Sequence, residues 1–157
     1  MMLTISVPGR EPADLHHLVL DFNGTIALDG HLLAGVKERL MKLSEQLAIY
    51  VITADTNGSV AAECADLPVR VHVIGKTDQI GEKTRFVQEL LPAGAACIGN
   101  GVNDEGMFAV SELAVAIMGT EGCAVSSLLQ ADIVVSSITD ALDLLLLPHR
   151  LIATLRK

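Results

Sequence analysis

Residues 17–25 read HLVLDFNGT. An apolar run closed by a carboxylate and then by a glycine turn is the pattern of a buried strand that stops abruptly. In an open parallel sheet, ligands bind beyond the carboxyl ends of the strands, and Asp21 stands at such an end. A carboxylate is a competent nucleophile toward phosphorus once a cation removes the charge repulsion. Gly24 permits an unusual backbone angle, and Thr25 can brace the loop by hydrogen bonding. The plainer alternative is that Asp21 only caps the turn.

Outward from this strand, short apolar runs alternate with longer helical patterns, which implies βαβ units around a parallel sheet. Strands are expected over residues 3–7, 17–21, 47–53, 69–74, 95–98, 113–117 and 133–135. Residues 3–7 suit an edge strand or hairpin arm, and residues 69–74 (VRVHVI) should alternate in and out. Residues 22–31 (FNGTIALDGH) suit a tight turn and small hairpin. Helices are expected over residues 36–46, 59–66, 78–91, 103–110, 121–130, 138–147 and 148–156. The first carries Val36, Leu40, Leu43 and Leu47 at helical spacing. The fold class is therefore α/β, a mostly parallel, Rossmann-like sheet flanked by helices, with residues 1–157 read as one domain.

Composition narrows the function classes. Half the residues are apolar but only 3% are aromatic, so Val, Ile, Leu and Ala must fill the core. The formal charge of -8 argues against nucleic acid or an anionic membrane as partner. A small anionic substrate is still admissible, because a metal ion and one lysine can reverse the field inside a cleft. Cys64, Cys97 and Cys123 are odd in number and widely spaced, and read as small buried hydrophobes in a reducing compartment. Neither a signal peptide nor a membrane-spanning run is expected, and the reading is a soluble, cytoplasmic protein. A mean hydropathy of +0.47 and the leucines of residues 142–155 lead to the expectation of a homo-oligomer.

Further polar residues fall at successive strand ends. Thr53 closes the strand LAIYVIT, and its hydroxyl and the nearby backbone of Ala54 and Asp55 can bind phosphate oxygens; strands also end in Thr with no such role. Lys83, in GEKTRF, would neutralise a phosphate and an attacking carboxylate together, or is simply a surface lysine. Residues 98–106, IGNGVNDEG, turn sharply after a buried strand and crowd Asn100, Asn103 and Asp104 together. Such oxygens suit Mg2+, which keeps several waters and binds substrate phosphate. The alternative is an Asn/Gly turn before a helix.

The ordered set DFNGT, VIT, Lys83 and GNGVND resembles the four motifs of the haloacid dehalogenase-like (HAD) superfamily, most of all the phosphorylation domain of P-type ATPases and its soluble relatives. The resemblance runs over residues 17–136. It implies an aspartyl-phosphate on Asp21 and a phosphoryl group held by Thr53, Ala54 and Lys83, with Lys76 as runner-up for Lys83. It implies Mg2+ bound by Asp21, the Asn23 backbone carbonyl, and the Asn100/Asp104 corner. It also implies a flap hairpin over residues 22–31. The chain departs from the family pattern at two places. Asn23 stands where phosphatases carry a general acid-base Asp, and Asn100 where a metal-binding Asp is usual; Asp104 is then expected to take a larger share of the metal. No stretch is long enough for an inserted cap domain, and the ATPase's transmembrane and nucleotide-binding parts have no room.

The function read from the sequence is a Mg2+-dependent phosphotransferase, a weak or specialised phosphatase of HAD-like hydrolase type acting on a phosphorylated substrate. The alternative is a non-enzymatic Mg2+/phosphate-binding regulatory module. A receiver-like domain fits less well, because receivers lack a GNGVND corner.

Overall fold

The computed structural model of the chain describes residues 1–54 and 58–157. Nine strands and seven helices follow one another among these residues. The first strand, β1 (Leu3–Ile5), pairs antiparallel with the start of β2 (Ala13–Asp21). A short hairpin, β3 (Ala27–Leu28) with β4 (His31–Leu32), follows β2 directly and leads to α1 (Val36–Leu43). Then come β5 (Ala48–Thr53), α2 (Ser59–Cys64), β6 (Arg70–Val73), α3 (Gln79–Leu90) and β7 (Gly94–Gly99). A 3-10 turn (Val102–Asp104) opens α4 (Glu105–Val110). The chain closes with β8 (Leu113–Ile117), α5 (Val125–Leu128), β9 (Ile133–Val135), α6 (Ile138–Leu146) and α7 (Pro148–Leu155).

The sheet runs β6-β5-β2-β7-β8-β9, and every pair along that path is parallel. This is the doubly wound order in which the chain starts at the centre, builds to one side, and returns to build to the other. The reversal falls between β2 and β7, and strand ends part there to leave a crevice. Asp21 ends one of those strands and Gly99 the other.

Period-two alternation assigns the faces. Leu18, Leu20, Ala96, Ile98, Val115 and Ile117 point into one core, which α1, α2, α6 and α7 help to build. Val19, Ala95, Cys97, Ala114 and Ala116 point into the other, with Val87 of α3 and Met107 and Phe108 of α4. The small residues on this second face let α3 lie close to the sheet. That proximity brings Lys83, one helical turn before Val87, down to the strand ends.

Two expectations about the elements need correction. The helix expected over residues 121–130 is only the single turn α5, because Gly119 and Gly122 first pair across a tight turn with Gly122 at φ +76°. The alternation expected for residues 69–74 fails, since β6 is an edge strand and Arg70, His72 and Val73 are all exposed. At the C-terminal end Leu142, Leu144, Leu145 and Leu151 are buried within the chain, and Leu146, Ile152 and Leu155 pack against the same core. Among the described residues no helix is long and apolar enough to cross a membrane. Cys64 and Cys97 are buried and Cys123 half-buried, and burial raises all three thiol pKa values.

Candidate active site

The crevice is an open cleft lined by Asp21, Asn23, Thr53, Ala54, Gln79, Asn100, Gly101, Asn103 and Glu121. Asp55 lies outside the described residues. Beneath the cleft sits a buried ion triad. Lys83 has no exposed surface, and its Nζ lies 2.9 Å from Asp21 Oδ1 and 2.8 Å from Asp104 Oδ1. Lys83 rises from α3, whose start is fixed by Asp78 accepting a hydrogen bond from the Gly81 amide at 3.2 Å. Helical side chains tilt toward the N-terminus, which aims this lysine at the carboxyl edge of the sheet. The runner-up, Lys76, is exposed after β6.

Asp104 does not line the cleft. Its Oδ2 accepts hydrogen bonds from the Asn100 and Gly101 amides, both at 3.0 Å, while Oδ1 takes Lys83. A β-carbon on Gly99 would fall inside the Asp104 carboxylate, so glycine there makes the room. The larger metal share expected of Asp104 does not suit this placement. Its carboxylate holds the lysine and shapes the Gly-Asn-Gly loop instead.

Charge and burial compete at Asp21. Burial pushes the Asp21 carboxyl up and the Asp104 charge adds to that, while Lys83 opposes both, leaving a pKa of about 7. Burial disfavours the Lys83 ammonium, but Asp21 and Asp104 outweigh it and raise its pKa above the ordinary lysine value. Thr25 braces the loop as its residue type suggested, donating to Asp21 Oδ2 at 3.3 Å.

The two asparagines have separate tasks. Asn23 Oδ1 accepts the Gly30 amide at 2.8 Å, which ties the β3–β4 hairpin to the end of β2. Asn100 Nδ2 donates to the Gly122 carbonyl at 3.2 Å. Asn103, expected among the clustered oxygens, is tied by Nδ2 to Gln79 Oε1 at 2.7 Å.

Sequence reasoning missed Gln79 and Glu121. The helix expected over residues 121–130 includes Glu121; the glycines on either side of Thr120-Glu121 are the signal for a turn at the cleft. Beside the cleft, a cavity of about 240 Å³ shares Glu121 with it and is rimmed by Gly24, Thr25, Thr120, Ser137 and Thr139.

Comparison with known proteins places the fold. A HAD family hydrolase assignment is carried by a protein from Streptomyces avermitilis, which superposes with a TM-score of 0.66 at 23% identity over 95% of this chain and 90% of that one. The chain has the haloacid dehalogenase-like fold. The 3-deoxy-D-manno-octulosonate 8-phosphate phosphatase of Moraxella catarrhalis, solved with magnesium and phosphate, gives a TM-score of 0.64 at 14% identity, over 90% and 94% of the two chains. The catalytic domain of the CPx-ATPase CopB-B gives 0.61 at 25% identity, over 73% of this chain and 46% of that one. Among curated proteins, two uncharacterized proteins of Methanocaldococcus jannaschii match. MJ0072 is 55% identical over 40 residues, 26% of this chain and 91% of its own length, and the chain belongs to one family with it. MJ0073 is 49% identical over 59 residues, 38% of this chain, and the match spans 63% of its length. No family model matches the chain.

The HAD fold raises the question of a divalent cation. The donor set fits one. Asp21 offers a carboxylate at the cleft, and the docked Nδ2 of Asn100 leaves its amide oxygen as the remaining donor. Gly24 has φ +82°, and a β-carbon there would lie 2.7 Å from both Asn100 Nδ2 and Glu121 Oε1. Space is therefore kept clear between the end of β2 and the Asn100 loop.

Proposed function

We propose that the protein is a Mg2+-dependent phosphotransferase of phosphatase type, working through an aspartyl-phosphate on Asp21. The observation that carries the reading is the buried Lys83 holding the Asp21 carboxylate at the foot of an open cleft, at the strand reversal of a HAD fold.

Asp21, the Asn23 backbone carbonyl and the Asn100 amide oxygen would hold the ion. When bound, Mg2+ neutralises phosphate oxygens and lowers the repulsion between two anions. An Asp21 carboxylate oxygen attacks phosphorus, the bond to the leaving oxygen breaks, and that oxygen takes a proton from water. Lys83 keeps Asp21 oriented and offsets charge beside it. Thr53 and the Ala54 backbone face the cleft and receive the phosphoryl oxygens. Water then attacks phosphorus, releasing phosphate and restoring the carboxylate. That second step finds no base at position 23, because Asn23 cannot take a proton and its oxygen already serves Gly30. General acid-base help is worth about 10²–10⁴-fold, so slow turnover and a long-lived acyl-phosphate are the expected signature.

The structural duty of Asn23 also supports a second reading, a Mg2+/phosphate-binding module without turnover. Purified protein with Mg2+ and acetyl phosphate or an aryl phosphate separates the two. A hydroxylamine-sensitive phosphoryl label on wild type, absent from Asp21→Asn, is the expected result. No label, and phosphate release no faster than from Asp21→Asn, would remove the enzyme reading.

A further inference from the structure

The fold brings one more carboxylate to this cleft. Glu121 stands on the turn after β8, and its Oε1 and Asn100 Nδ2 lie the same 2.7 Å from the point where a Gly24 β-carbon would sit. The two side chains thus flank one spot at the mouth of the strand reversal. Glu121 lines the cleft together with Asp21 and Asn100.

Its position is fixed by the residue that lacks a charge. Asn100 Nδ2 donates to the Gly122 carbonyl at 3.2 Å, and the Ala124 amide donates to the Asn100 carbonyl at 2.8 Å. The turn closes on itself through the Gly122 amide and the Gly119 carbonyl at 2.9 Å. Two hydrogen bonds therefore dock the Glu121 turn onto Asn100. An aspartate at 100 could not make the first of them, since a carboxylate oxygen facing the Gly122 carbonyl would be acceptor against acceptor.

Resting on the phosphotransferase reading above, we infer that Glu121 is the second anionic group of the cation site, carrying the charge that Asn100 does not. Asn100 exchanges a ligand charge for a hydrogen-bond donor, and that donor holds the turn that brings the charge back. Mg2+ keeps several of its waters when bound, so Glu121 can act on the ion through one of them. With Asp104 sealed against Lys83, Glu121 and Asp21 are the acidic side chains lining the cleft among the described residues.

The test is calorimetric titration of MgCl2 into five proteins: wild type, Glu121→Gln, Asn100→Asp, the double variant and Asp21→Asn. Glu121 is exposed, so Glu121→Gln should keep the wild-type thermal midpoint without metal. Losing one carboxylate should weaken Mg2+ binding about tenfold or more, the equivalent of about 1.4 kcal/mol. In the double variant, Asp at 100 should recover most of that loss. Asn100→Asp alone should gain little, because the new charge meets Glu121 and undocks the turn. Glu121→Gln binding Mg2+ as tightly as wild type, while Asp21→Asn binds none, would overturn this inference and leave the proposed function standing. Wild type that binds no Mg2+ would overturn both.

Discussion

Lys83→Met removes the only cation of a buried triad and leaves Asp21 and Asp104 facing an apolar side chain of similar length. Lys83 has no exposed surface, and its partners lie at 2.9 and 2.8 Å. Breaking a buried pair by deleting one partner costs about 3–5 kcal/mol. Asp104 keeps its two backbone amides and Asp21 its Thr25 hydroxyl, so both carboxylates are still partly satisfied. Asp21, whose pKa burial already raises to about 7, escapes further cost by taking up a proton as pH falls. The full loss should appear near pH ~8, and roughly half of it near pH ~5. For a chain of this length, about 2–4 °C accompanies each kcal/mol, so the midpoint should fall by roughly 10 °C at the higher pH. The assay is thermal unfolding by circular dichroism without metal at both pH values. Asp104→Asn added to Lys83→Met should restore part of the loss, because it removes one of the two stranded charges. A Lys83→Met midpoint equal to wild type near pH ~8, or the same loss at both pH values, would refute the reasoning.

The raised Asp21 pKa gives a pH dependence of definite sign. With a value lifted from 3.8 to about 7 on folding, its contribution to stability is complete below the unfolded pKa and is lost as pH rises through about 7. In metal-free thermal melts, Asp21→Asn should therefore gain on wild type between about pH 5 and 8; an unchanged difference would argue against a strained carboxylate. Asn23→Asp keeps an acceptor for the Gly30 amide and frees a second oxygen as a base. It should raise phosphate release about 10- to 1000-fold, and a rate equal to wild type in a steady-state assay would show that this position does not limit turnover. Gly24→Ala forces a side chain into a left-handed backbone and into the gap between Asn100 and Glu121. It should cost about 1–2 kcal/mol in chemical unfolding from the backbone alone and abolish Mg2+ binding by calorimetry; wild-type values for both would show that the gap has no function.

The sequence alone determined the elements of the fold. Leu18 to Leu20 and Ala95 to Ile98 are short apolar runs that only a sheet covered on both faces can bury, and the helical spacing of Val36, Leu40 and Leu43 needs no partner to be read. Asp21, Thr53 and Asn100 were legible as site candidates because each ends or follows a strand, and strand ends share one edge of a parallel sheet. The sequence could not tell Lys83 from Lys76, since both are lysines in polar surroundings; the close seating of α3 on Ala95, Cys97 and Ala114 decides it. Nor could it separate the two acidic residues near the Asn100 loop. Asp104 carries the recognisable motif but turns inward to Lys83, while Glu121 lies distant in sequence and in a turn read as helix. Hydrogen bonds from Asn100 and Ala124 bring that turn to the cleft, and such contacts between distant residues leave no local periodicity to read. Tertiary structure alone therefore assigned the charge around Asp21.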